Sequence, residues 1–317
     1  MTDAFDIDAY FERIHLERPS AEAIASPTES LDVLKRIIHR HQLTFPFENL
    51  SVNGFFPVDP AHVTEHVSGE RVSIQADKIF RKMVVDGRGG YCYEQNALFA
   101  GVLRALGYEF ETVAGRVTPQ TGEDLPFGVR VLALGHMFLL VTLPGSTTKY
   151  LCDVGFGGRG QPPSPLPLDA SVTTTTRGGE SYQLRRIELV RRDMPTSFSG
   201  EYTIQEDPEG SSWALFYQTH SGGEFHPSYV FSTVHTMAHA DYYQANWYIS
   251  TSPDSPFTKN TFVILRTDTG LKSVVGMEYK HVESGELVDA HEVSSRQELL
   301  ELLSHVFSLH PPKSPHD

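Results

Sequence analysis

The residues best suited to chemistry sit in one stretch, Arg88-Gly89-Gly90-Tyr91-Cys92-Tyr93-Glu94. Its two glycines let the backbone turn sharply, and an apolar helical pattern begins at or next to Cys92. A thiol at a helix N-terminus lies beside unpaired N–H groups and the positive end of the helix dipole, which favour thiolate over thiol. The same amides suit the oxyanion of a tetrahedral intermediate. A nucleophilic cysteine also needs a base and a group to orient that base. His136 opens the apolar run Met137-Phe138-Leu139-Leu140, and Asp153 closes the run Leu151-Cys152 ahead of Val154-Gly155-Phe156-Gly157. On neighbouring strands an imidazole would take the thiol proton while a carboxylate fixed its tautomer. By residue type alone Cys92 reads more readily as a small apolar filler at a helix start, and spacing does not single out His136 among fifteen histidines.

The elements that must position these groups change in character along the chain. The first hundred residues read as helical. Apolar residues recur at three and four over Asp8–Ile14, Asp77–Val85 and about Tyr91–Leu106, where Gly107 supplies a stop. Ser26-Pro27-Thr28-Glu29 carries a start signal, with Ser26 as cap and Pro27 in the first turn, ahead of Leu31, Leu34 and Ile38. After Gly107 come short aliphatic or β-branched runs, Phe110–Val117, Val129–Leu134, Met137–Leu143 and Tyr150–Asp153, divided by Gly and Pro. Gly157–Pro167 reads as loop and Thr173–Thr176 as a solvated turn or strand edge. Tyr182–Arg191 and Glu201–Phe216 read as strands. Thr261–Thr267 and Lys272–Glu278 look extended, and the capping box Ser295-Arg296-Gln297-Glu298 opens a final helix through Phe307. Helical, then β, then mixed predicts an α+β chain in three compact regions rather than a doubly wound sheet.

Composition narrows the function classes. A length of 317 residues suits two or three domains, and 39% hydrophobic with 21% charged residues excludes wholesale disorder. With 26 basic against 40 acidic residues the net charge is −14, so nucleic acid is not an expected partner. Met1–Tyr10 has three Asp and no Lys or Arg, unlike a signal peptide, and no apolar run approaches the roughly 20 residues of a membrane span. Two cysteines are too few for a disulfide scaffold. A reduced, cytoplasmic setting is expected, with no membrane association.

Five separated segments resemble the arylamine N-acetyltransferase family in one order. They are the Arg-Gly-Gly-aromatic-Cys-aromatic-Glu motif around Cys92, His136 before its aliphatic strand, and Asp153-Val154-Gly155-Phe156-Gly157. The other two are Phe45-Pro46-Phe47-Glu48-Asn49-Leu50 and the Ser/Pro-rich Ser250-Thr251-Ser252-Pro253-Asp254-Ser255-Pro256-Phe257. The resemblance implies a helical bundle over 1–107 carrying Cys92, a β-barrel over 108–225 carrying His136 and Asp153, and an α/β lid over 226–317. It also implies a triad core like that of cysteine proteases and transglutaminases. The implied reaction is ping-pong transfer of an acetyl group from acetyl-CoA, through a Cys92 thioester, to arylamines, N-hydroxyarylamines or hydrazines. Some fungal members of similar length prefer malonyl-CoA, which would need a cation or several donors beside the thioester; the sequence does not identify that group. Carried over residue by residue, Phe47, Phe156 and Tyr93 fall in the substrate pocket, and Asp254, Ser255 and Phe257 in the cofactor cleft. Glu48 with Arg88 forms a structural ion pair. A carboxylate at Asp254 would repel a pyrophosphate unless it pointed away, while the Gly155–Gly160 stretch offers amides and Arg159 to phosphates.

Other signals carry less. His235 and His239, like His62 and His66, stand one helical turn apart, but the glutamate of a His-Glu-x-x-His motif is missing and no metal is expected. Cys152 is expected to be a buried neighbour of Asp153. Competing readings are a thiol hydrolase or transglutaminase-like enzyme, which the Pro-Phe-Glu-Asn and late Ser/Pro segments oppose, and a non-catalytic aromatic-ligand binder, for which a triad has no use.

Overall fold

The computed structural model describes residues 5–65, 67–118, 129–191, 200–234 and 237–312. His66 and His235 therefore lie outside the described residues, as do residues 119–128.

Spacings of three and four place apolar side chains on single helical faces, and the N-terminal helices bury those faces together. They are α1 (Ile7–Arg13), α2 (Ala21–Ala25), α3 (Ser30–Thr44), α4 (Ala76–Phe80) and α5 (Cys92–Leu106), with a two-residue strand β1 (Phe47–Glu48) between α3 and α4. Ile37, Leu34, Met83, Phe99 and Leu103 are fully buried in their common core. Gly107 ends α5 in the left-handed conformation, φ +84°. Three details depart from expectation. Ser26 Oγ accepts from the Glu29 N–H at 3.3 Å but closes a separate turn, so the regular helix starts only at Ser30. α2, capped by Ser20, is too short to show periodicity. The helix expected over Asp77–Val85 widens after Phe80 into a π-turn, Arg81–Val85, in which Lys82 is buried.

Next comes an antiparallel ten-stranded sheet curled into a nearly closed barrel. Its strands are β2 (Glu109–Val117), β3 (Val129–Val131), β4 (Leu134–Thr142), β5 (Lys149–Cys152), β6 (Leu166–Pro167), β7 (Thr173–Thr175), β8 (Ser181–Arg191), β9 (Gly200–Glu206), β10 (Ser212–Gln218) and β11 (His226–Ser232). The order is β3-β9-β8-β10-β11-β2-β4-β5-β6, with β7 on β8. The stretch Glu201–Phe216 is thus two strands around a turn rather than one. Val113, Phe138, Leu151, Leu184, Trp213 and Tyr229 fill the interior. β11 falls beyond the expected 225/226 division, yet it pairs with β10 and β2 as part of this sheet.

The last part contains α6 (His239–Thr251), α7 (Pro256–Lys259), β12 (Phe262–Arg266), β13 (Gly270–Val275), β14 (Glu278–Glu283), β15 (Glu286–Glu292) and α8 (Arg296–Phe307). Ser295 caps α8 through the Glu298 N–H at 3.2 Å. The five-stranded sheet runs β1-β12-β13-β14-β15, so a strand from the helical region forms its edge. Leu299, Leu303 and Phe307 of α8 pack on Val263, Val274 and Leu50. Among the described residues no helix is long and apolar enough to cross a membrane.

Candidate active site

Cys92 is the first residue of α5 and is 5% exposed. The chain reaches it through a passage too tight for side chains. A Cβ on Gly89 would lie 2.1 Å from the Pro46 carbonyl oxygen. That contact lets the Gly90 N–H donate to Pro46 O at 3.2 Å and the Glu48 N–H donate to Gly90 O at 3.1 Å. Gln95 adds to the clamp, its Nε2 donating to Pro46 O at 2.9 Å and Gly90 O at 3.1 Å.

Beneath this turn lies a buried ionic cluster. Arg88 Nη2 donates to Glu48 Oε1 at 2.9 Å, and Lys82 Nζ lies 2.6 Å from Glu94 Oε1 and 3.7 Å from Glu48 Oε1. Glu94 Oε2 accepts the Tyr91 N–H at 3.1 Å, fixing the start of α5. Two cations and two anions cancel. Burial pushes Glu48 upward, but Arg88, Lys82 and the Leu50 N–H prevail and hold it at about 2. For Glu94 burial prevails over Lys82, so its carboxyl is raised.

His136 and Asp153 approach Cys92 from the barrel. β4 delivers His136, and Asp153 follows β5, which pairs with β4. His136 Nε2 is 2.7 Å from Asp153 Oδ2, with both side chains buried. Nδ1 is the ring nitrogen that Asp153 does not engage, and Cys92 is among the groups that favour the charged imidazole. Burial opposes an imidazolium here. The charge and hydrogen bond of Asp153, then those of Cys92, outweigh it and raise His136 to about 10. The sulfur also lies 3.7 Å from the Gly135 carbonyl oxygen.

Asp153 is saturated with donors. Oδ2 accepts from His136 and from the Tyr229 hydroxyl at 3.0 Å; Oδ1 accepts from Asn96 Nδ2 and the Gly155 N–H, each at 3.0 Å. Burial would raise this carboxyl, yet His136, Gly155 and Asn96 hold it below the ordinary range. Gly155 has no room for a side chain: a Cβ would stand 2.7 Å from Gln95 Cβ and 3.0 Å from Cys92 Cα. Asn96 also donates to Met137 O at 2.7 Å and accepts the Val154 N–H at 3.1 Å, joining α5 to both barrel strands.

The arrangement holds a sulfur, a charged imidazole and an anchored carboxylate in sequence, as acyl transfer through a cysteine requires. A match to the N-acetyltransferase family model spans residues 30–313. The arylamine N-acetyltransferase of Mycolicibacterium smegmatis is 32% identical over 84% of this chain and 78% of that protein. The chain belongs to the arylamine N-acetyltransferase family. A solved structure of the Mycobacterium smegmatis family member superposes with TM-score 0.73 at 29% identity, covering 96% of this chain and 93% of that one. The Mycobacterium marinum arylamine N-acetyltransferase, solved in complex with CoA, gives 0.72 at 28% identity, covering 96% and 92%. The family is one of acyltransferase enzymes, and the helical, barrel and α/β architecture of this chain is the family's.

The remaining residues anticipated for an arylamine N-acetyltransferase site are spread more widely. Phe156 meets the His136 ring edge-on at 5.2 Å. Phe47 and Phe257 lie 6.1 Å apart in the apolar cluster that contains Cys92, and Tyr91 is 5.6 Å from Phe257. Tyr93 is 1% exposed and packed between Tyr91 and Tyr242, a wall member without open surface. Ser255 is likewise 1% exposed, its hydroxyl accepting the Phe257 N–H as the cap of α7. Asp254 points outward, 82% exposed and 3.8 Å from Lys259. Arg159 is exposed, and its carbonyl accepts the Tyr182 hydroxyl. His62 is buried against Asp86 at 2.9 Å. Cys152 is fully buried, and burial pushes its thiol up. Sequence reasoning missed Asn96, Gln95, Lys82 and Tyr229. A polar residue one turn after Cys92 on the same helix face was the available signal for Asn96; the others had none.

Proposed function

We propose that this protein transfers an acyl group from a coenzyme A thioester to the nitrogen of an aromatic amine, N-hydroxyarylamine or hydrazine, through a thioester on Cys92. The observation that carries this reading is the buried His136, bonded to Asp153 at 2.7 Å, next in the chain to Gly135, whose carbonyl lies 3.7 Å from the Cys92 sulfur in the first turn of α5. In this reaction Cys92 gives its proton to His136. The sulfur attacks the thioester carbonyl, with the oxyanion facing N–H groups at the start of α5. The bond from carbon to the CoA sulfur breaks, and that sulfur takes the proton from His136. In the second half an amine lone pair attacks the acyl-enzyme, the Cys92–carbon bond breaks, and the amine proton passes to His136.

Transfer between two thioesters is nearly isoenergetic, so the acyl group keeps its reactivity. Water must then be kept away; Phe47, Phe156 and Phe257 supply apolar cover around Cys92, a residue that is 5% exposed. The CoA complex of the Mycobacterium marinum relative supports a CoA thioester as donor. Acetyl is the expected acyl group, with malonyl as the alternative. In the cofactor segment Phe257 supplies a face, whereas Ser255 acts by shaping the turn. A nucleophilic free thiol suits a reducing, cytoplasmic compartment.

The test is mass spectrometry of enzyme mixed with acetyl-CoA. An acetyl adduct on the Cys92 peptide, discharged by an aromatic amine and missing from Cys92→Ala, is the expected result. A wild-type protein that forms no adduct overturns the reading.

A further inference from the structure

The last turn of α3 carries two adjacent polar residues, His41 and Gln42, both buried. Neighbouring residues on a helix diverge by about 100°, so the two side chains leave α3 toward different elements. Each holds one of two loops that meet at the apolar cluster of Cys92.

His41 acts on the first loop through Gln95. Gln95 Nε2 faces three carbonyl oxygens, of Phe45 at 3.3 Å, Pro46 at 2.9 Å and Gly90 at 3.1 Å. Those acceptors fix the amide, so its Oε1 accepts from His41 Nε2 at 2.8 Å. The imidazole therefore carries its proton on Nε2, and its bare Nδ1 accepts the Tyr10 hydroxyl at 2.9 Å. Burial keeps the ring neutral by lowering His41 to about 4, so this tautomer stands throughout the neutral range. Tyr10, His41 and Gln95 form one chain. It ends on the backbone just before Phe47 and, at Gly90, two residues before Cys92.

Gln42 holds the second loop, 153–162. Its Nε2 donates to Asp153 O at 3.1 Å and to Pro162 O at 2.8 Å, tying the two ends of the loop together. Within it Gln161 Oε1 accepts the Gly157 N–H at 2.6 Å. This loop carries Phe156, whose ring meets His136 edge-on. The two loops touch where Gly157 meets Phe47: a Cβ on Gly157 would stand 2.6 Å from the Phe47 ring. Phe47 in turn packs in the apolar cluster of Cys92. One helix end thus holds both sides of the seam between Phe47 and Gly157.

Resting on the acyl-transfer reading, we propose that His41 and Gln42 are positioning residues that keep this seam shut and so keep water from the acyl group on Cys92. Neither touches the reacting atoms. The reaction they suppress is hydrolysis: water oxygen attacks the thioester carbonyl, the Cys92–carbon bond breaks, and acetic acid leaves Cys92 as the free thiol.

The test follows decay of the acetyl adduct on Cys92 by mass spectrometry, after acetyl-CoA is removed by rapid desalting. Decay is first order, so its constant does not depend on how much of a variant is folded. In His41→Phe and in Gln42→Leu the adduct is expected to decay in amine-free buffer about fivefold faster or more. Discharge by saturating aniline is expected not to accelerate. His41→Gln returns an amide donor to the place of Nε2 and should recover most of the wild-type lifetime. If His41→Phe does not fold, Tyr10→Phe carries that arm; it strips only the donor to Nδ1 and should shorten the lifetime about twofold. Decay at or below the wild-type rate in either arm, no recovery in His41→Gln, or equal acceleration by water and by aniline each overturns the proposal. None of these outcomes touches the acyl-transfer reading, which fails only if wild type forms no adduct.

Discussion

Asp153 and Glu48 are both buried carboxylates beside cationic partners, on either side of the first turn of α5, and they are held by different kinds of donor. Asp153 has one partner whose charge can come and go, His136, and three neutral donors, Tyr229, Asn96 and Gly155. The neutral donors keep the carboxylate in place whichever way the imidazole titrates. Glu48 instead faces two cationic side chains, Arg88 and Lys82, and Arg88 is further fixed over the Phe56 ring at 4.7 Å. One cluster is built to move a proton and the other to stay still.

The comparison breaks most sharply at Asp153→Asn. The amide removes the negative charge and presents an N–H₂ where donors already point. A loss of about 10³- to 10⁴-fold in kcat is expected, the scale of a triad deprived of its orienting carboxylate. It is read in a steady-state assay normalised to folded protein by circular dichroism. A loss under tenfold would place Asp153 with Glu48 as a brace. The alkaline limb gives a second readout. His136 is raised from 6.5 to about 10, so the stability it contributes is fully present below pH 6.5 and is lost as pH rises through 10. Urea melts across that window are expected to show this loss in wild type and a smaller one in Asp153→Asn.

What the sequence discloses follows the same divide between local and distant. The motif around Cys92 and the helix it opens are legible because cap, apolar stripe and stop lie within sixteen residues of one another, from Tyr91 to Gly107. His136 and Asp153 are found by motif, but their neighbour Tyr229 comes from β11, 76 residues beyond Asp153, and no local pattern marks it. Lys82 points inward because the helix widens into a π-turn, a change that propensity does not announce. β15 is exposed along its whole length, so it lacks the alternation that reveals a strand. α6 mixes Tyr, Trp and small polar residues around its circumference and shows no clean apolar stripe.

A smaller effect is expected from Glu48→Gln. Breaking a buried pair leaves Arg88, whose Nε and Nη1 already lack an acceptor among the described residues, without its anion. The expected cost is about 3–5 kcal/mol of unfolding free energy, measured by urea denaturation. The acid limb carries the sign. Glu48 is depressed from 4.5 to about 2, so its contribution is present above pH 4.5 and disappears as pH falls through 2. In Glu48→Gln that part of the acid sensitivity should vanish. If the variant melts like wild type, the cluster is no brace.

The smallest effect isolates burial from geometry. Lys149 and Glu111 meet at 2.5 Å, closer than Arg88 and Glu48, but their side chains are 35% and 48% exposed. Water already solvates both charges, and ordering two long side chains offsets much of the attraction, so such pairs contribute about 0.2–1 kcal/mol. Glu111→Gln should therefore shift unfolding by less than about 1 kcal/mol, and most of that shift should fade at 1 M salt, where the screening length falls to roughly 3 Å. Glu48→Gln, whose pair is closed to solvent, should keep its full cost at that salt. Equal salt responses from the two variants would mean that ions reach the Glu48 cluster, and the contrast between a fixed brace and a surface pair would fail.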